Sequence, residues 1–146
     1  MTGHRERSRE RGESLVELLI SVSILGIAVV AIVAGMATAI TASDANRKQG
    51  IVEAQLRNFA ESVTDPTVGY VECATTGSYA SPPGFALPAG FSSTITNVRY
   101  FDGNSPPAFT GTCPGTPDNG VQLVTVQIQS GDGRAQKSLT FAKRRP

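Results

Sequence analysis

From Leu18 to Ala37 the chain runs through about twenty residues in which Ser21 and Ser23 are the only polar interruptions. No other stretch limits the fold as strongly. As a helix rising 1.5 Å per residue, it is about 30 Å long, which matches the hydrocarbon thickness of a bilayer. A cleaved secretory signal is one rival reading. Its apolar region would span about 7 to 15 residues and end in small residues, as in the AGMATA sequence here, but this run is longer. A buried core helix is another. The chain beyond the apolar block is too small to surround it.

The flanks give the segment a direction. Arg5, Arg7, Arg9 and Arg11 outnumber Glu6 and Glu10 before it, although the net charge of the whole chain is only +1. Arginines beside an apolar span mark the cytoplasmic side, so the N-terminus is expected inside and the rest outside. Residues 1–11 are polar without apolar periodicity and are expected to be unstructured. A helix is expected over residues 13–42. Ser14, Glu17 and Ser21 follow i, i+3, i+7 spacing and share a face. A carboxylate in lipid costs about 2.5–3.5 kcal/mol at mid-membrane and less near an end. Glu17 either reaches the interface and favours the helix N-terminus, or pairs with a cation brought by another protein.

Gly12, then Glu13-Ser-Leu-Val-Glu17-Leu-Leu-Ile, then the long apolar helix, after a short basic leader, resembles the prepilin signature of type IV pilins and type II secretion pseudopilins. The resemblance implies a leader, residues 1–12, removed by a prepilin peptidase at the Gly12–Glu13 bond, with methylation of the new N-terminus at Glu13. It implies that Glu17 neutralises the terminal ammonium of an adjacent subunit during assembly. The family's mid-helix glycine falls on Gly26. Two positions depart from the pattern. Glu13 stands where Phe or Met is usual, which sets a second carboxylate beside the amine. Ala34 stands where many members have proline, with Gly35 following as a local weak point.

Beyond the span, residues 43–146 are expected to form one small α+β domain. Ala45, Val52, Leu56, Phe59 and Val63 form an apolar stripe at helical spacing, so the helix is expected to continue over 43–64 and end at Asp65-Pro66, with Gly50 a weak spot. Residues 65–92 are rich in Gly, Pro, Ser and Thr and read as a loop, with a short extended piece at Tyr70–Cys73. Antiparallel strands are expected within 93–143. Thr94–Phe101 alternates imperfectly, which a bulge or two-sided burial would explain. Val121–Gln129 alternates cleanly, Gly131-Asp132-Gly133 makes a turn, and Ala135–Ala142 completes a hairpin. The tail Lys143-Arg144-Arg145-Pro146 reads as exposed. The fold class is therefore α+β: a long N-terminal hydrophobic helix packed on a small antiparallel sheet, as the resemblance also implies.

Cys73 and Cys113 can pair if this part is exported; otherwise they are two free thiols. A disulfide closing a loop of about 40 residues stabilises by about 4 kcal/mol in the chain-entropy model.

His4 is the one histidine and lies in the leader, so the domain has no imidazole base or metal ligand. Glu53 and Glu61 read as a solvated helix face, Asp102-Gly-Asn104 as an ordinary turn without an EF-hand pattern, and no glycine loop opens a helix as a phosphate site would. No catalytic residue, cofactor site or metal site is expected, and the charge does not suit nucleic acid. The resemblance implies a structural subunit of a type IV pilus-like filament, held in the bacterial membrane before assembly with other subunits. The alternatives are a pseudopilin of a secretion or DNA-uptake system and a single-pass anchored ectodomain that binds without polymerising.

Overall fold

The computed structural model describes residues 7–146, with side chains from Leu15 onward. The chain divides into two compact units, Met1–Asp44 and Ala45–Pro146. One helix, α1 (Arg7–Thr64), contributes to both.

In the first unit every described side chain from Leu15 to Ser43 is exposed, the large apolar ones 52–73% so. It is the one helix among the described residues that is long and apolar enough to cross a membrane. Its hydroxyls find partners within the helix. Ser21 Oγ donates to the Glu17 carbonyl and Ser23 Oγ to the Leu19 carbonyl, each at 2.8 Å, and Thr38 Oγ1 donates to the Ala34 carbonyl at 3.1 Å. Such back-bonding lets a hydroxyl sit in an apolar medium without an unpaired donor. The helix already begins at Arg7, inside the stretch expected to be unstructured. Arg and Glu are good helix formers and can extend a helix nucleated by the apolar run. The expectation for residues 1–6 lies outside the described residues. α1 passes through Gly35 and Gly50 without interruption.

In the second unit the stripe Val52, Leu56, Phe59 and Val63 is buried. It packs on one face of a four-stranded antiparallel sheet of order β2-β1-β3-β4, formed by β1 (Phe91–Phe101), β2 (Phe109–Thr110), β3 (Val121–Ser130) and β4 (Gln136–Arg144). Phe59 is the hub of the core. Its ring meets those of Phe85 and Phe141 edge-on, at centroid distances of 5.0 and 6.4 Å. The imperfect alternation of β1 is a bulge between Ile95 and Asn97. The extra residue, Thr96, resets the phase, so Ile95, Val98 and Tyr100 are all buried.

Three expectations are corrected here. β2 lies inside the stretch 102–120 read as loop; Asp102 pins it by accepting from the Ala108 amide while its own amide donates to the Ala108 carbonyl. The short extended piece at Tyr70–Cys73 is coil and turn, with Cys73 at φ 50°. Its amides bond to side chains instead of a neighbouring strand: Val71 N–H to Tyr79 Oη and Cys73 N–H to Asp118. The C-terminal tail is not simply exposed. β4 continues to Arg144, and Lys143 is buried. Its Nζ donates to the carbonyls of Val63 at 2.8 Å and Val68 at 2.6 Å. An ammonium there satisfies a carbonyl left over at the end of α1 and complements the helix dipole.

Candidate functional site

Two groups of residues carry the chemistry, one in each unit. In the first unit, Glu17 is the only ionisable side chain among the described residues of the apolar run, one residue before Leu18, and it is exposed. The nearby hydroxyl of Ser21 bonds to the Glu17 carbonyl, not to its carboxylate. Among the described residues no cation pairs with that carboxylate. The backbones of Gly12 and Glu13 run in α1, but their side chains lie outside the described residues. A carboxylate near the end of a helix made to sit in lipid or against other helices either reaches the polar interface or meets a counter-charge.

In the second unit, Cys73 and Cys113 are joined, with Cα atoms 5.5 Å apart. The bridge fastens the loop after α1 to the loop before β3. Beside it lies a group the sequence reading misses, centred on Asp118, whose side chain is 1% exposed. Asp118 is acceptor-only as a carboxylate and is filled from every side. It accepts from Gln122 Nε2 at 2.6 Å, Tyr70 Oη at 2.8 Å, Gly120 N–H at 2.9 Å, Cys73 N–H at 3.1 Å and Arg145 at 3.2 Å. Glu72 in turn accepts the Asp118 amide at 2.7 Å and pairs with Arg145, whose guanidinium also lies 5.3 Å from the centre of the Tyr70 ring. Gln122, fully buried on β3, donates from the same amide nitrogen to the Val71 carbonyl. No buried side-chain nitrogen or oxygen among the described residues lacks a partner. These contacts clamp residues 70–73 onto the start of β3 and the end of β4.

Burial works to raise the Asp118 pKa. The hydrogen bonds from Gln122, Gly120, Tyr70 and Cys73 outweigh it, and the carboxyl is held below its ordinary value of 3.8. The Tyr70 hydroxyl is pushed up, by burial first and then by its bond to Asp118. Burial lowers the Lys143 ammonium, against the pull of Asp65. Asp132 is held low by its hydrogen bond from Lys48, and Asp102 by bonds from the Ala108 and Asn104 amides. For all three aspartates the folded pKa is depressed, so their stabilisation is present above the unfolded value and is lost as pH falls through the folded values. Denaturant unfolding of the full chain in detergent micelles should therefore show a plateau from about pH 8 to 5 and a decline below about pH 4. A decline already beginning near pH 6 would contradict these assignments.

The sequence-predicted residues thus fall in separate places. The structure joins Cys73 to Cys113, whereas Glu17 stands on the exposed apolar helix of the other unit. Glu53 is not merely solvated; it pairs with Arg57 and Lys137, at 3.2 and 3.1 Å. Asp102-Gly-Asn104 is a side-chain-closed turn, with Asp102 accepting from the Asn104 amide at 3.1 Å. No cluster of metal-ligating side chains occurs among the described residues.

Residues 7–33 match the prokaryotic N-terminal methylation motif. That motif is typical of type IV prepilin-like proteins, a structural class, and implies processing by a prepilin peptidase and assembly with other pilin subunits in general. Together with the exposed apolar helix it fits a membrane-anchored, pilin-like protein. No curated protein and no solved structure matches the chain.

Proposed function

We propose that the chain is a filament subunit of the type IV pilin or pseudopilin kind. It waits in the bacterial membrane with its N-terminus in the cytoplasm, is cut between Gly12 and Glu13 and methylated at Glu13, and is then extracted into a helical stack of copies. The observation that carries this reading is the methylation motif at 7–33, which lies within one unbroken helix whose apolar side chains from Leu15 to Ile40 are exposed all round. Such a helix exchanges lipid for neighbouring helices at little cost in apolar contact, because both surroundings are apolar. Charge then decides the register. Glu17 pairs with the terminal ammonium of Glu13 in an adjacent subunit, and one buried charge compensates the other. The carboxylate of Glu13 lies beside that amine and competes for it, so this subunit's register depends on Glu17 reaching the amine first.

Mass spectrometry of the chain recovered from its host should find a mature N-terminus at Glu13 carrying a methyl group. An intact leader would favour an anchored ectodomain that does not polymerise. Glu17→Ala should leave leader removal intact. Stranding an ammonium in an apolar stack costs about 3–5 kcal/mol, so incorporation into sheared filaments should fall by about 100-fold or more. Normal incorporation of the variant would sink the assigned role.

A further inference from the structure

Strands β1 to β4 contain no aspartate or glutamate, and their cations are Arg99, Lys137, Lys143 and Arg144. The two lysines are turned towards α1 and are spent there. Lys137 pairs with Glu53, and Lys143 is buried against the carbonyls of Val63 and Val68. The two arginines fall on the opposite phase and face away from α1. Arg99 stands between the buried Val98 and Tyr100 and in register with Leu123, and Arg144 stands opposite Val121. The Arg99 guanidinium donates to the neutral Phe109 carbonyl. Among the described residues the Arg144 side chain has no hydrogen-bond or ion-pair partner. Beside the arginines lies a small apolar patch that is not part of the core. The rings of Phe101 and Phe109 meet at 5.9 Å, and Val121 and Leu123 continue the patch onto β3, all four half-buried.

The other side of the second unit, the outward face of α1, carries the opposite charge. Ala54, Asn58 and Glu61 follow i, i+4, i+7 spacing, are exposed, and lie away from the buried stripe of Val52, Leu56, Phe59 and Val63. Arg57 on that side is taken by Glu53 at 3.2 Å, whereas the Glu61 carboxylate has no partner among the described residues. Asp65, four residues on, adds a second exposed carboxylate, which accepts from Thr67.

We propose that the outward sheet face of one copy docks on the outward face of α1 in a second copy, with Arg144 and Arg99 meeting Glu61 and Asp65 and the two phenyl rings seated over Ala54 and Asn58. Charge chooses the pairing. Two sheet faces together set arginine against arginine, and two helix faces set carboxylate against carboxylate, so only the unlike faces attract. Aromatic and arginine side chains are the ones that anchor protein contacts, and the short side chains of Ala54 and Asn58 let the rings approach the helix. The contact is heterologous: each copy keeps one unlike face free, so a third copy can add in the same way. One such contact is weak, and repetition along a stack strengthens it. This names a contact between copies for the filament reading and rests on that reading only for its repetition, because both faces belong to the second unit.

The test is charge reversal with rescue, read by sedimentation of the concentrated full chain in detergent micelles. Glu61→Arg and Arg144→Glu should each weaken self-association by about tenfold or more, and the two combined in one chain should restore it. Both positions are exposed, so the variants should keep the fold, which their urea midpoints check. Cross-linking gives a second readout. Light- and heavy-isotope copies carrying Arg144→Lys are mixed and treated with a water-soluble carbodiimide, which joins a carboxylate to an amine in contact. Mass spectrometry should find mixed-isotope peptides linking Glu61 or Asp65 to position 144. The proposal is overturned if the single reversals associate as wild type, if the combined variant is not restored, or if every such link stays within one isotope. The filament reading fails separately. Sheared filaments that take up both single reversals normally, without the link, overturn this contact and leave that reading standing. The link and the rescue in micelles, with no chain found in filaments of the host, uphold the contact and overturn that reading.

Discussion

Asp118→Ala is expected to destabilise the second unit by about 3–5 kcal/mol, the cost of breaking a buried charged network from one side. The carboxylate is the common acceptor for donors from Tyr70, Cys73, Gly120, Gln122 and Arg145. Removing it leaves those donors facing one another around a buried position, with the half-exposed Arg145 the one best able to turn to water. Each buried donor left unpaired costs about 1–3 kcal/mol, and partial relaxation keeps the total below the simple sum. Asp118→Asn separates charge from shape. The amide keeps the volume but turns an NH2 group towards donors, so it should still cost about 2 kcal/mol. Gln122→Leu should be milder than either, because it removes a donor and leaves the carboxylate its other partners.

The chain supplies its own probe for these measurements. It has no tryptophan and three tyrosines, and all three lie in or beside this network. Tyr70 bonds Asp118, Tyr79 Oη accepts the Val71 amide at 3.0 Å, and Tyr100 Oη donates to the Ala74 carbonyl at 2.6 Å. Tyrosine fluorescence during urea unfolding of the full chain in detergent should therefore follow the clamp directly. An unchanged midpoint for Asp118→Ala would show that the loops hold without it.

Much of the architecture was legible because it rests on periodicity. The apolar run and the stripe Val52, Leu56, Phe59 and Val63 repeat at helical spacing, and Val124, Val126 and Ile128 alternate at strand spacing. The same periodicity carried two signals that composition alone obscures. Gln122 falls in phase with Val124, Val126 and Ile128, and Lys143 falls in phase with Leu139 and Phe141. A polar residue on an inward phase must find a partner, so each phase announces a buried hydrogen bond. What the pattern cannot announce is the partner. Asp118 sits in an Asp-Asn-Gly stretch that reads as surface, and three of its donors come from residues 45–48 positions away and from Arg145 just past β4. β2 was missed for a related reason. Two residues have no period, and the side chain of Asp102 rather than a hydrophobic pattern holds them. In the first unit no described cation pairs with the Glu17 carboxylate, and periodicity alone does not choose between the interface and a cation from another protein.

Removal of the disulfide by Cys73→Ser with Cys113→Ser is expected to cost the full amount its loop length implies when the clamp is intact, and the two losses should be strongly coupled. The bridge spans a sequence separation of 40. Chain entropy alone sets its contribution at about 4 kcal/mol. Much of a small domain's stability of about 5–15 kcal/mol would go with it. In the folded state the Cys73 amide is fixed on Asp118 and β2 is paired with β1 at Tyr100 and Phe101, so loss of the bridge acts mainly by freeing the unfolded chain. The reduced chain therefore keeps both ends of the bridge near their places. The double serine variant should remain folded at neutral pH, about 4 kcal/mol less stable in urea. Adding Asp118→Asn to it removes the second fastening of the same residue. The combined loss should then depart from the sum of the separate losses by about 0.5–3 kcal/mol, as expected for groups that share a partner. Limited proteolysis supplies an independent readout. Cutting of the glycine- and proline-rich stretch 111–117 should accelerate in the serine variant before any cutting in β3 or β4, because that stretch lies outside the strand pairing of the sheet. Strict additivity, or cutting that begins in the strands, would mean that the bridge holds the whole sheet rather than one loop.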